Sequence, residues 1–141
     1  MQPPALIDLG LGAALEELVS DMSERGRIPV TLQAGTELIP GVLPPDIDLM
    51  LYRAAQEAIN SALRHAAPTT IRVTLRQDAG AVQLEVTDDG AGFTPPRQLD
   101  RLVLEGHLGL ASLRQRVERA DGRLTVSSAL GGGTTVRVQT P

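Results

Sequence analysis

The sequence contains no cysteine and no tryptophan, and its aromatic residues are limited to Tyr52 and Phe93. Without cysteine, the chain cannot form disulfides, use a thiolate nucleophile or bind zinc through sulfur ligands. Histidine is almost as scarce: the sequence holds His65 and His107 and no other, which excludes a histidine-rich metal site. Because aromatic side chains are so few, the core must be built from Leu, Val, Ile and Ala.

An excess of basic charge is also lacking. The formal net charge is -4 at pH 7, whereas a nucleic-acid-binding domain carries a basic excess. The sequence also lacks the aromatic platforms on which the bases of single strands stack. We therefore expect no nucleic-acid partner.

Long apolar runs are absent as well. No segment approaches the ~18 consecutive apolar residues that span a bilayer. The first ten residues, MQPPALIDLG, lack the basic segment and apolar stretch of a signal peptide. These features predict a cytoplasmic domain, which is compatible with a membrane anchor elsewhere in a full-length protein. The length of 141 residues, with 42% hydrophobic and 21% charged residues, predicts one soluble domain.

Apolar side chains recur at helical spacing in three segments and at alternate positions in five. Helices are predicted over residues 11–25 with Gly26 as a C-terminal cap, from an N-cap at Asp46 to a stop at Pro68, and over residues 110–122 with Gly122 at the end. Strands are predicted over residues 28–34, in a hairpin over residues 70–90 and in a second hairpin over residues 123–141. This order predicts an α+β fold with helices on one face of a mostly antiparallel sheet.

The segment DDGAGF, residues 88–93, follows a predicted strand and opens a long loop. Its two glycines allow the backbone to approach a ligand closely. Asp88 can accept a hydrogen bond from a ligand donor such as an exocyclic amine. In isolation the segment is more typical of an ordinary turn, because lone glycine motifs give frequent false matches.

Two further glycine-rich segments flank the last predicted helix. GHLGL, residues 106–110, ends the long loop and begins that helix, and the exposed amides at a helix N-terminus bind phosphate well. LGGGTT, residues 130–135, follows the helix and the next strand. Each is weak alone, since the first is also an ordinary helix start and the second an ordinary hairpin turn.

A polar face follows the helix that contains YRAAQEAINSALRHA, residues 52–66. On it, Glu57 can act as a general base, and Asn60 or Ser61 can ligate a hard cation such as Mg²⁺. Arg64 can hold a phosphate. The alternative is a solvated face in which Glu57 forms an ion pair with Arg53 or Arg64.

Taken together and in this order, the motifs make the chain resemble the ATP-binding catalytic domain of bacterial sensor histidine kinases. The wider superfamily includes DNA gyrase, the heat-shock chaperone ATPases and MutL-type proteins. Residues 51–66 resemble the N box, residues 88–93 the G1 box, and residues 106–138 the G2 box with the closing strands. Residues 6–22 are similar to the segment before this domain in the subfamily paired with helix-turn-helix response regulators. The resemblance covers nearly the whole chain.

The resemblance implies the Bergerat fold, a two-layer α/β sandwich that binds ATP between its helix layer and a mobile lid. The lid corresponds to residues 94–106. Residues 1–26 would lead from a dimerisation region, and residues 27–141 would form the catalytic domain.

The resemblance also implies roles for individual residues. Glu57 corresponds to the acidic residue that supports phosphoryl transfer, and Asp88 to the residue that reads the adenine amino group. The other nucleotide-binding positions are Gly90, Gly92 and Phe93 around the adenine, Thr134 behind it, and Gly106, Gly109, Leu110, Arg64 and His65 near the phosphates.

One position departs from the family pattern. The residue four after the N-box glutamate is normally an asparagine that ligates Mg²⁺, and here it is Ser61. Asn60 cannot simply replace it, because one residue turns a helical side chain by about 100°. Ser61 and Glu57 are therefore the candidate metal ligands, and Ser61 is short enough to require a water or a displaced ion.

The leading hypothesis is a histidine kinase catalytic domain that uses ATP and Mg²⁺. It would phosphorylate a histidine on a dimerisation segment absent from this chain and so serve a response regulator. The isolated chain is expected to be monomeric and poorly active in transfer. Alternatives are a nucleotide-responsive regulatory module of the same fold, which the serine at position 61 favours, and a protein-serine kinase of the anti-sigma type, against which residues 6–22 count. A further alternative is an α+β domain with no nucleotide site.

Overall fold

Three helices and five strands occupy the part of the chain that the computed structural model describes, which is residues 10–34, 44–78, 81–91, 108–129 and 131–141. In chain order they are α1 (Leu11–Gly26), β1 (Val30–Ala34), α2 (Pro45–His65), β2 (Ile71–Asp78), β3 (Ala81–Asp88), α3 (Leu108–Arg119), β4 (Arg123–Ser128) and β5 (Thr134–Gln139). The predicted order of elements is confirmed. No helix in these ranges is long and apolar enough to cross a membrane.

The five strands form one mixed sheet in the order β1-β2-β3-β5-β4. β1 and β2 are parallel, and the other neighbouring strands are antiparallel. A parallel pair needs a crossover, and α2 lies in that connection. The order also brings the end of β3 beside the start of β5, because β5 lies between β3 and its hairpin partner β4. The predicted α+β class and the mostly antiparallel mixed sheet are confirmed.

Alternate residues of the central strands supply the sheet's half of the core. Val82, Leu84 and Val86 of β3 are buried, and Val136 and Val138 of β5 pack beside them. The helices add the other half through aliphatic side chains, among them Leu15, Leu18, Leu51, Ile59, Leu113 and Val117. The core is aliphatic, as the shortage of aromatic residues requires.

α1 belongs to the same hydrophobic core as the rest of the described chain. Six of its residues are buried: Leu11, Ala14, Leu15, Leu18, Val19 and Met22. It lies against β1 and α2. Packing therefore does not separate α1 from the elements that follow it, and the domain boundary between residues 26 and 27 stays a prediction.

The helix ends differ from the sequence-based expectation. α1 and α3 are followed by left-handed residues that are not glycine, Arg27 with φ 57° and Asp121 with φ 62°. Gly26 serves packing instead, because a Cβ there would lie 2.8 Å from a Cδ atom of Leu63. Asp46 is not the N-cap of α2: the cap is Pro44, since Pro45 fits the first helical position.

Gly122 follows Asp121 and also serves packing. A Cβ at this position would lie 2.7 Å from the Gln139 carbonyl oxygen and 3.1 Å from a Val117 methyl carbon. We expect Gly122→Ala to lower the free energy of unfolding by about 1–3 kcal/mol, because a backbone oxygen cannot move aside. In the same turn, Asp121→Gly should raise it by roughly 0.5–1 kcal/mol by relieving the left-handed backbone. Urea denaturation of both variants checks this, and equal stabilities would contradict it.

Candidate functional site

Three chain segments meet where β3 ends. The Ala91 amide donates a hydrogen bond to the Ala66 carbonyl just after α2, at 2.8 Å. The Ala91 carbonyl accepts one from the Gly131 amide, at 2.6 Å, in the turn before β5. Backbone hydrogen bonds therefore join the end of α2, the end of β3 and the β4–β5 turn.

Two glycines make this close approach possible. A Cβ at Gly90 would overlap the Ala66 carbonyl oxygen, and a Cβ at Gly133 would overlap the Asp88 carbonyl oxygen. Gly133 also has φ 77°, which L side chains rarely adopt. Any larger residue at either position would push the segments apart.

Asp88 is the last residue of β3 and is only 8% exposed. Its Oδ1 accepts a hydrogen bond from the Gly90 amide at 2.8 Å. Burial raises the pKa of the Asp88 carboxyl above its ordinary value; the Gly90 hydrogen bond opposes this, and the charge of Asp89 adds to it. A carboxylate has about four acceptor positions, so Asp88 keeps acceptor capacity for a ligand donor.

Thr134 lies directly across the sheet from Asp88, as its partner in the β3–β5 ladder. It is 8% exposed, and its hydroxyl lies 2.8 Å from that of Ser128 on β4. The structure thus brings Thr134 close to Asp88. Whether the pair holds an adenine stays a prediction.

Asp89 was not singled out by the sequence, yet it has more side-chain hydrogen bonds than Asp88 among those described. Its Oδ1 accepts from the Thr69 amide at 2.8 Å and the Thr70 amide at 3.0 Å, and its Oδ2 accepts from the Thr69 hydroxyl. The Thr69 hydroxyl and these amides lower the pKa of Asp89. The only sequence signal is the doubled aspartate, which does not indicate a partner twenty residues away.

Glu57 faces the first turn of α3. A Cβ on Gly109 would overlap the Glu57 carboxylate, so Gly109 is the residue that lets α3 lie against α2 at this point. A cavity of about 190 Å³ opens beside Glu57 and is lined by Arg53, Gln56, Glu57, Gly109, Ser112, Leu113 and Arg116. Of these, Gln56, Ser112 and Arg116 had no predicted role.

The predicted metal position, Ser61, is 9% exposed and lies one turn along α2 from Glu57. Within the described ranges its hydroxyl has no hydrogen-bond partner, and it does not line the cavity beside Glu57. Asn60 is partly exposed. The described residues include no group of three or more His, Cys, Asp or Glu side chains that could hold a metal ion.

A magnesium ion does not require such a cluster, because it keeps several waters and takes other oxygens from substrate phosphates. Glu57 and Ser61 both offer oxygen, and the buried Ser61 hydroxyl lacks a described partner. These residues fit Mg²⁺ bound with nucleotide better than an all-protein cage.

The remaining predicted positions include exposed residues, a buried residue and residues outside the described ranges. Arg64 and His65 are exposed in the last turn of α2. Leu110 is 2% exposed and packs in the core, so its contribution to a site would come from its backbone. Gly92, Phe93, Gly106 and the lid over residues 94–106 lie outside the described residues.

Comparisons with known proteins agree on one family. The model of the histidine kinase-, DNA gyrase B-, and HSP90-like ATPases matches residues 46–141. The sensor histidine kinase ComP of Bacillus subtilis is 32% identical over 133 residues, covering 94% of this chain and 17% of ComP. The sensor histidine kinase MctS of Rhizobium johnstonii is 35% identical over 134 residues, covering 95% of this chain and 28% of MctS. The chain thus spans less than a third of the length of either relative.

Solved structures show the same fold. The histidine kinase domain of the Erythrobacter litoralis EL346 blue-light activated histidine kinase has a TM-score of 0.73 and 25% identity, over 93% of this chain and 60% of that one. The Acinetobacter baumannii histidine kinase AdeS has a TM-score of 0.70 over 92% of this chain and 63% of that one, and its 13% identity shows likeness of fold alone.

The raised pKa of Asp88 predicts how stability changes with pH. A carboxyl whose pKa is higher in the folded chain stabilises that state when protonated, and this contribution is lost as pH rises through the folded-state pKa. Asp88→Asn keeps an oxygen for the Gly90 amide but cannot ionise. We expect the free energy of unfolding of the wild type, minus that of Asp88→Asn, to fall between about pH 4 and about pH 7. Urea denaturation at both pH values checks this, and a difference that rises or stays constant would contradict it.

Proposed function

Because the chain belongs to the histidine kinase-, DNA gyrase B-, and HSP90-like ATPase family, we propose that it is the ATP-binding catalytic domain of a sensor histidine kinase. It would transfer the γ-phosphoryl group of ATP to a histidine on a separate dimerisation segment. The observation that carries the proposal is the environment of Asp88. Its carboxylate is buried beside Thr134, at the end of β3, where Gly90 and Gly133 allow neighbouring backbone segments to approach closely.

Asp88 would read the adenine. Its carboxylate accepts the Gly90 amide and can accept the exocyclic amino group of adenine as well. Burial strengthens such a hydrogen bond, because fewer waters compete for the same oxygen. Thr134 would close the pocket behind the base from β5.

The phosphates would lie between α2 and the start of α3. The first amides of α3 have no helical partner and can donate to phosphate oxygens. Arg64 and His65, at the end of α2, would add positive charge and hydrogen-bond donors. Gly109 lets the first turn of α3 approach the Glu57 carboxylate closely. The phosphates bound by these amides would therefore lie near Glu57.

Glu57 would support the transfer by accepting a proton from, or orienting, the attacking histidine. Most of the rate would come from positioning and from neutralising charge on the phosphates. Mg²⁺, when bound with ATP, would supply part of that neutralisation, with Ser61 and Glu57 as the oxygen ligands on the protein side.

A second function is favoured by one residue. Ser61 stands at the metal-ligand position, and its short hydroxyl is buried. A domain that holds Mg²⁺ poorly would still bind nucleotide and could regulate a partner without transferring phosphate. The dependence of phosphotransfer on Mg²⁺ therefore decides between the two functions for this chain.

The surroundings of the domain follow from the proposal. A sensor kinase requires a dimerisation segment with the phosphoacceptor histidine and a response regulator to receive the phosphoryl group. We propose a cytoplasmic location for this domain and a monomeric state when it is separated from the dimerisation segment.

Asp88→Asn tests the nucleotide site. Replacing the carboxylate removes a charge-assisted hydrogen bond to the amino group, which is worth about 1.5–3 kcal/mol. We expect ATP to bind roughly 10- to 150-fold more weakly, as measured by calorimetric titration with Mg²⁺. Asp121→Asn is the matched control, because that carboxylate is exposed and Asn tolerates the left-handed backbone. Unchanged ATP affinity in Asp88→Asn, or no ATP binding by the wild type, would refute the proposal.

Ser61→Asn tests the metal position. The amide oxygen reaches further than the hydroxyl, so we expect half-maximal phosphotransfer at a lower Mg²⁺ concentration and a faster rate at saturation. The measurement is transfer from labelled ATP to the dimerisation segment added in trans, with Ser61→Ala as the matched loss of the oxygen. If wild type binds ATP without Mg²⁺ and neither it nor Ser61→Asn transfers phosphate, the regulatory module is the better reading. Equal rates for all three proteins would exclude a metal role for position 61.

A further inference from the structure

Asp89 is anchored more firmly than an exposed side chain usually is. It receives two backbone amides on Oδ1 and a hydroxyl on Oδ2, all from Thr69 and Thr70. An exposed carboxylate is ordinarily hydrogen-bonded to water. The Asp89 carboxylate instead accepts three hydrogen bonds from the protein. Because the carboxylate is ionised, these hydrogen bonds are charge-assisted.

Asp89 lies one residue beyond the point where two strand ladders of the sheet end. Ile71 and Asp88 form the last pair of the β2–β3 ladder on this side. Asp88 and Thr134 form the last pair of the β3–β5 ladder at the same edge. Asp88 therefore sits at the terminus of two ladders, where strand ends fray most readily. Asp89 extends the first ladder by side-chain contacts, one residue beyond its last backbone pair.

Other contacts hold the chain beyond Asp88 in position but do not replace Asp89. The Ala91 amide is bonded to the Ala66 carbonyl, and Gly131 to Ala91. These bonds begin three residues after Asp88. Between them and the ladder lie the hydrogen bonds of Asp89 and those that the Asp88 carboxyl accepts from the Gly90 and Thr134 amides.

We propose that Asp89 is a positioning residue for nucleobase recognition: by binding Thr69 and Thr70 it fixes the direction in which the adjacent Asp88 presents its carboxylate to an adenine amino group. The inference rests on the proposed function, because it assumes that Asp88 reads that group. It goes further in assigning part of the base selectivity to an exposed residue that does not touch the base.

The test compares adenosine triphosphate with inosine triphosphate, which carries an oxygen where adenine has its amino group. The measured quantity is the dissociation constant of inosine triphosphate divided by that of ATP. This ratio reports how well the Asp88 carboxylate is oriented toward the amino group, independently of phosphate binding. In Asp89→Ala the ratio should fall by about threefold to tenfold relative to wild type, with most of the change in ATP affinity. A loss of folded protein would reduce the binding of both nucleotides equally. The ratio therefore separates an effect on the orientation of Asp88 from a loss of folded structure.

Asp89→Asn is the conservative rescue. Its amide oxygen can accept both backbone amides, and its NH₂ group can donate to the Thr69 hydroxyl oxygen, so all three hydrogen bonds are kept without the charge. We expect a ratio within about twofold of wild type. Thr69→Val removes only the hydroxyl bond and should lower the ratio by a smaller factor than Asp89→Ala does. It keeps the test decisive if Asp89→Ala fails to fold.

The outcomes separate this inference from the proposed function. If wild type prefers ATP and Asp89→Ala keeps the wild-type ratio, the positioning role is wrong while the adenine site stands. Equal weakening of both nucleotides in Asp89→Ala also overturns it, because the effect is then not on base recognition. If wild type does not distinguish the two nucleotides, or binds neither, the proposed role of Asp88 fails and the inference fails with it.

Discussion

The Ala66 carbonyl oxygen is the contact on which the candidate site depends. It ends α2, accepts the Ala91 amide at 2.8 Å and leaves no room for a side chain at Gly90. α2 carries Glu57, and the end of β3 carries Asp88, so this carbonyl joins the two elements that hold the candidate carboxylates. The contact is made by backbone atoms, which have fewer ways to rearrange than side chains do.

Local pattern predicted much of this fold, because element type follows from the spacing of apolar residues. The three helices, both hairpins and the glycine-rich end of β3 could be read in this way. The strand order could not, since nothing in the local pattern of β5 places it between β3 and β4. The anchors of Asp89 were missed for the same reason, as Thr69 and Thr70 lie about twenty residues away. Gly26 and Gly122 misled the expectation about helix ends, because glycine also occurs where a neighbour leaves no room for Cβ.

The candidate site was predicted in outline and is sharpened by packing. The sequence brought Glu57, Asp88, Gly109 and Thr134 to attention through motif order, and the structure places them in two pairs, Glu57 with Gly109 and Asp88 with Thr134. The sequence could not show that Ser61 is buried on α2. Helical spacing indicates which face of the helix a side chain lies on, but not how closely other elements pack over that face. Within the described residues the Ser61 hydroxyl has no partner, and leaving a buried hydroxyl unsatisfied costs about 1–3 kcal/mol.

The pairing of Asp88 with Thr134 joins residues that are far apart along the chain. Contacts of this kind form late, because a long loop must close before they contribute. During synthesis, the half of the sheet that ends at Asp88 is made well before β5 exists. Until β5 has left the ribosome, the edge of β3 is unpaired and Asp88 is open to water, with the ordinary acidity of an exposed carboxyl. The buried environment of Asp88 is therefore a mark of completed folding, and a ligand that needs this environment can bind only to chains in which the last strand has docked.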